Sequence, residues 1–176
     1  MKLIAIDPGY EQSAYLIYNT EFILSDFPIG EAIIENNTEV LHKLRERSNK
    51  HDAGRPDILL LEMVQHYGSG MAAGKTVFQT CVWIGRFIEA WEGNWQFLYR
   101  PQIRSRICGS VRAGDSNIRQ ALIDRFGPDR TTAIGTKKKP GPLYGIKKDL
   151  WSALALAVAY AGLKSSNRIE FEQKEM

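Results

Sequence analysis

A chain of 176 residues, 44% hydrophobic and 24% charged, has the length and apolar content for one domain with its own core, and is too apolar for a disordered chain. No apolar run is long enough to span a bilayer, and Met1-Lys2-Leu3-Ile4-Ala5-Ile6-Asp7 reaches a charge too soon for a secretory signal, so a cytoplasmic location is expected. The net charge is only +3, but basic residues crowd the second half, from Arg100 to Lys148, as on a protein with one face turned to a polyanion.

Residues 2–7 (KLIAID) form an apolar run closed by an acid, the pattern of a buried strand whose last residue faces a site. Pro8-Gly9 then makes a turn. Residues 13–18 (SAYLIY) and 21–27 (EFILSDF) follow as two more strands joined at Asn19-Thr20, so the chain opens on an antiparallel meander. Residues 31–50 read as a helix carrying Ile34, Leu41 and Leu44, ended by Gly54-Arg55-Pro56. Residues 57–62 (DILLLE) are a second buried strand ending in an acid.

The stretch 74–92 is a helix with Val77, Cys81, Ile84 and Ile88 on one face and Phe78, Val82, Trp83, Phe87 and Trp91 over much of the rest. A helix apolar nearly all round is covered on both sides, either within the core or at a dimer interface. Residues 95–99 (WQFLY) are a further strand, and 116–126 a helix with Asp115 or Ser116 as N-cap and Gly127 just past its end. Residues 127–146, rich in Gly, Pro and Lys, read as a long exposed loop of functional or disordered type. An Ala-rich helix over 148–163 closes the fold by packing against the sheet, and the polar residues 164–176 are expected to be a flexible tail. Three strands followed by alternation predict one α/β domain over 1–163, a mixed sheet with helices on both faces. Cys81 and Cys108 form no CxxC pair and are expected to be core thiols.

Three acids stand out: Asp7 and Glu62 at strand ends, and Asp149 opening the last helix behind a basic loop. Taken singly, Asp7 is a good turn former and Asp149 a helix-start acid favoured by the dipole. Taken together, acids that close apolar runs are costly to bury unless paired or bound to a cation. Neighbouring carboxylates repel, a divalent cation relieves the repulsion, and oxygen-only donors favour Mg2+ or Mn2+ over zinc.

The ordered segments IAIDPG (4–9), LLLEMV (59–64) and KDLWSALALAVAY (148–160) resemble the three acidic motifs of RuvC-type Holliday junction resolvases, the phage-encoded branch in particular. GKTVFQTCVWIGRF (74–87) and RICGSVRAGDSNIRQALIDRFG (106–127) extend the resemblance over residues 2 to about 163. It implies an RNase H-like fold, with three antiparallel strands and then parallel ones, a homodimer for which the 74–92 helix is the expected contact, Mg2+ held by Asp7, Glu62 and Asp149, and paired nicks in a four-way DNA junction. It also implies a phage-encoded protein acting in a host cytoplasm. One departure stands out: cellular members commonly carry two acids three residues apart in the last motif, and here Ser152 takes the second place. Lys148 and Asp115 are neighbours that could contribute a contact.

The resemblance further implies an aromatic near the junction centre soon after Glu62; Tyr67 is the candidate and His66 the second, although either could simply pack the loop. Arg104, Arg106, Arg112, Lys137, Lys138, Lys139, Lys147 and Lys148 are expected to contact phosphates. SGMAAGKT (69–76) lacks the first glycine of a phosphate-binding loop and the strand before it, and GSGMAAG (68–74) has the wrong spacing for a dinucleotide site, so no nucleotide cofactor is expected. The chain looks too short for a sugar kinase-like ATPase. A nuclease for flaps or forks, and a junction-binding protein with weak catalysis, are the alternatives.

Overall fold

The computed structural model describes residues 1–20, 28–49, 56–65 and 71–174. Among these residues five strands, β1 (Lys2–Asp7), β2 (Gln12–Asn19), β3 (Ile29–Asn36), β4 (Ile58–Met63) and β5 (Asn94–Tyr99), form one sheet in the order β3-β2-β1-β4-β5. β1, β2 and β3 pair antiparallel, while β4 and β5 run parallel to β1. Helices α1 (Asn37–Ser48) and α2 (Met71–Glu89) cover one face. The other face carries α3 (Arg100–Cys108), α4 (Asp115–Phe126), α5 (Arg130–Ile134) and α6 (Leu150–Lys174).

Two cores follow from the two-residue period of the strands. Leu3, Ala5, Ile58 and Leu60 point to the α6 side, whereas Ile4, Ile6, Leu59 and Leu61 point to the α1 and α2 side. The alanines of α6 explain its closeness to the sheet: Ala153, Ala155, Ala157 and Ala159 are all buried, and so small a side chain lets a helix backbone approach the strands.

Several elements depart from the sequence expectation. The third strand among the described residues is β3, which runs from Ile29 into the stretch expected to be helical from residue 31; the segment 21–27 lies outside the described residues. Ala32-Ile33-Ile34 pairs with Leu16, Tyr15 and Ala14, so sheet pairing and β-branched side chains win there. The helix starts only after Asn36, whose side chain accepts a hydrogen bond from the Glu39 N–H at 3.0 Å. α3 is a helix where none was expected; it has Pro101 in its first turn and ends at Gly109, with φ 70. α4 starts one residue early, with Gly114 rather than Asp115 or Ser116 as N-cap.

The stretch 127–146 is less of a loop than its composition suggests. It contains α5, and Ala133, Leu143 and Ile146 anchor it in the core. Gly135, at φ 72, turns the chain back so that Gly141 N–H bonds Ile134 O at 3.0 Å. A Cβ there would collide with the backbone of Lys139 and Gly141. Lys137, Lys138 and Lys139 remain exposed on the resulting tip. α6 runs on past the expected end at residue 163, to Lys174. Among the described residues no helix is long and apolar enough to cross a membrane.

Candidate functional site

Asp7 and Glu62 are neighbours by register. Ile6 pairs with Leu61 in the parallel β1–β4 ladder, so the next residue of each strand falls at the same edge. Both share the parity of the residues that face α6, so both carboxylates emerge on that side, at the C-terminal ends of parallel strands. Such an edge gathers ligands in open α/β sheets. The turn after Asp7 is braced from beneath: Ser13 Oγ donates to Asn37 Oδ1 at 2.6 Å and accepts from the Gly9 N–H at 3.2 Å, and Asn37 Nδ2 donates to Gly9 O at 3.0 Å.

Burial, then the charge of Glu62, pushes the Asp7 carboxyl up to about 7, with Asp149 adding to the effect. Arg100 and a hydrogen bond with the Ser152 hydroxyl pull the other way. Glu62 is also raised, because burial outweighs the attraction of Arg100 and Arg104, and Asp115 adds to the rise. Asp149 lies just before α6 and is exposed; Ser152, one turn further on, turns inward. Lys148, before Asp149, has φ 47, the one positive φ at a non-glycine among the described residues, and strain of this kind clusters at functional sites.

Sequence reasoning counted Arg100 only among the surface cations, yet its guanidinium sits in the centre of the site. Nη1 lies 3.1 Å from Glu62 Oε2 and 3.4 Å from Oε1, and donates to Ser152 Oγ at 3.2 Å. Nη2 donates to Asp115 Oδ1 at 2.7 Å, and that hydrogen bond, ahead of the charges of Arg100 and Arg104, holds the Asp115 carboxyl below its usual range. Glu62 pairs with Leu98, so a residue two beyond Leu98 falls on the same side of the sheet; this parity is the signal that finds Arg100.

The donor chemistry fits a hard cation: carboxylate oxygens, partly buried, with negative charge in excess at Asp7 and Glu62. As the side chains stand, no three Asp, Glu, His or Cys groups among the described residues gather closely enough to hold one ion. The guanidinium of Arg100 lies between Glu62 and Asp115 and pairs with both.

The remaining candidates are spread around this centre. Arg104 is engaged inside it, 3.6 Å from Asp115. Arg106, Arg112, Lys147 and Lys148 are exposed on the surrounding surface. A cavity of about 370 Å3 opens beside Asp149, lined in part by Arg119, Lys148, Trp151 and Ser152. The Arg119 guanidinium stacks over the Trp151 ring, 4.8 Å from its centre. Tyr67 and His66 lie outside the described residues. In α2, Ile84 and Phe87 enter the core, whereas Phe78 and Val82 are 74% and 63% exposed; the helix is thus covered on one side within the chain.

A sheet of this order with helices on both faces is the RNase H-like architecture, in the form seen in RuvC. Thermus thermophilus RuvC superimposes with a TM-score of 0.61 at 16% identity, over 95% of this chain and 97% of that one. The structure of T. thermophilus RuvC in complex with Holliday junction substrate gives a TM-score of 0.65 at 15% identity, over 95% and 96%. No protein-family model and no curated protein matches the sequence.

Proposed function

We propose that this chain is a divalent metal-dependent endonuclease that resolves four-way DNA junctions by paired nicks, with Asp7, Glu62 and Asp149 as its essential carboxylates. The observation that carries the reading is the pairing of Asp7 and Glu62 at the ends of parallel strands, with the start of α6 beside them, on a fold shared with a protein solved on a Holliday junction. Asp7 and Glu62 would bind Mg2+ or Mn2+, and Asp149 would complete the set from the rim. A divalent cation held there supplies Lewis-acid stabilisation of charge on the phosphodiester. Ser152 orients Asp7 through its hydroxyl, and the burial of both strand-end carboxylates keeps bulk water from screening them. The exposed Lys137–Lys139 tip, with Arg106, Arg112, Lys147 and Lys148, would hold phosphates and fix the register of the DNA. Tyr67, with His66 second, would stack near the junction centre, and two copies joined through α2 would place two sites on the two strands to be cut.

A second reading, a junction-binding protein with weak catalysis, draws on the Arg100–Glu62 pair and the neutral Ser152. Labelled four-way junction, fork and duplex incubated with Mg2+ and with Ca2+ separate the two. The nuclease reading expects Mg2+-dependent paired nicks on the junction, lost by at least about a hundredfold in Asp7→Asn, Glu62→Gln and Asp149→Asn, with junction binding kept. Binding without Mg2+-dependent nicking favours the second reading, and faster cutting of forks favours a broader branched-DNA nuclease.

A further inference from the structure

We infer that the cavity beside Asp149 is a seat for one DNA backbone phosphate, gripped by Arg119 and Lys148 and set against the carboxylate centre. The inference deepens the proposed function and rests on the part of it that brings branched DNA to this site. The cavity measures about 370 Å3, within the roughly 300–1,000 Å3 range of ligand pockets. Asp149 and Ser152 line it and also act on Asp7, so a group held there lies next to that centre. Its charges favour an anion. Arg100 and Asp115 line it too, but they bond each other at 2.7 Å, and Arg100 is shared with Glu62 as well. Among the described residues no ion pair engages Arg119, Lys148 or Asp149. Two uncommitted cations therefore stand against one uncommitted carboxylate.

Arg119 differs from a loose surface arginine in having a wall behind it. Its guanidinium lies over the Trp151 ring, 4.8 Å from the centre, and Trp151 is only 9% exposed, so a fixed ring limits where the cation can go. Stacking on the face leaves the planar edge, with its N–H donors, free to fork onto phosphate oxygens. Lys148 is placed by its backbone: at φ 47 a lysine stands where glycine or asparagine would be less strained. Ile118 and Trp151 give the cavity an apolar lining. That lining suits the sugar carbons on either side of a backbone phosphate and gives nothing to a free inorganic ion.

The test scans methylphosphonate linkages, each removing a single backbone charge, through four-way junctions bound by the full-length protein without divalent metal. In wild type a methylphosphonate at one particular linkage should weaken binding roughly tenfold, the lower end for a hydrogen bond to a charged group. Arg119 is exposed on α4, so Arg119→Gln leaves the fold intact. In that variant the same linkage should lose its effect while its neighbours keep theirs, and the salt slope should fall by about one unit. Lys148→Asn, whose side chain tolerates the positive φ, should weaken the effect of the same linkage. Trp151→Phe, which keeps an aromatic face, should preserve the wild-type profile and Trp151→Leu should match Arg119→Gln; equal profiles in the two would remove Trp151 as the residue that positions Arg119. The same profile in wild type and Arg119→Gln overturns the inference, and wild-type nicking with Mg2+ would then leave the nuclease reading standing. A loss in Arg119→Gln spread evenly over all linkages also overturns it, by making Arg119 a general surface cation. A linkage coupled to Arg119 in a protein that never nicks supports the inference and ends the nuclease reading alone. Absence of junction binding by wild type overturns both.

Discussion

Asp7 keeps its place because the turn behind it is braced by two buried polar side chains. Ser13 and Asn37 are 2% and 1% exposed and bond to each other and to both polar groups of Gly9. Gly9 itself has no room for a side chain, since a Cβ would collide with the Gln12 carbonyl. Asn37→Ala would leave Gly9 O and the Ser13 hydroxyl without these partners in a buried setting, at a cost of about 1–3 kcal/mol. Urea denaturation should show that loss, together with slower nicking as Asp7 shifts; a loss below about 0.5 kcal/mol, the level of an ordinary surface change, would mean that water replaces the amide. At this scale much was legible in the sequence. Asp7 and Glu62 each close an apolar run; that both face α6 follows from the β1–β4 register. Arg100 was hidden because one arginine in a basic half reads as surface, until the β4–β5 register brings it beside Glu62. The inward turn of Ser152 was likewise out of reach, because it depends on how the last helix is seated.

β3 and α1 are tied by a clamp whose strength depends on pH. Glu31 Oε1 lies 2.8 Å from Lys43 Nζ, and its Oε2 lies 3.2 Å from Arg47 Nη2. Burial pushes the Glu31 carboxyl up, but the hydrogen bonds and charges of Lys43 and Arg47 together bring it below its ordinary value of 4.5. A carboxyl lowered on folding contributes stability above its unfolded pKa and loses it as pH falls through the folded one. These side chains are 26–35% exposed, so the contribution is about 0.5–1 kcal/mol. Glu31→Gln should therefore be less stable than wild type at pH 7, and the gap should close at acid pH, well below the ordinary carboxylate value of 4.5, in paired denaturant melts. An equal gap at both pH values would assign the effect to packing. The elements with strong periodicity, β1, β4, α2 and the first part of α6, were legible. β3 was not, because its isoleucines fit either period and only pairing with β2 decides. α3 carried a helix frame, Pro101 in its first turn and Gly109 at its end, but buries only Ile103 fully and shows little apolar patterning.

For the whole molecule, the arrangement puts an acidic centre inside a basic surround, and the two can be tested separately. Replacing Lys137, Lys138 and Lys139 with Gln removes charges from an exposed tip tied into the fold through Ala133 and Leu143. The slope of junction affinity against salt should then fall by roughly two to three units with little change in melting temperature, and an unchanged slope would free the tip of any DNA role. The proposed cutting of two strands asks for two copies, and the exposed face of α2 is the proposed contact. Phe78 and Val82 stand one helical turn apart with most of their area exposed, and Arg86 lies 4.2 Å from the Trp83 ring on the same helix. Covering a phenylalanine is worth roughly 1.5–3 kcal/mol, so a contact centred on Phe78 and its copy would be broken by a charge. Phe78→Asp with Val82→Asp should sediment as a monomer, keep the wild-type circular dichroism and nick junctions singly, and wild type should sediment as a dimer and nick in pairs. A wild-type monomer at micromolar concentration that still cuts in pairs would remove α2 from the assembly and require the junction itself to bring two copies together.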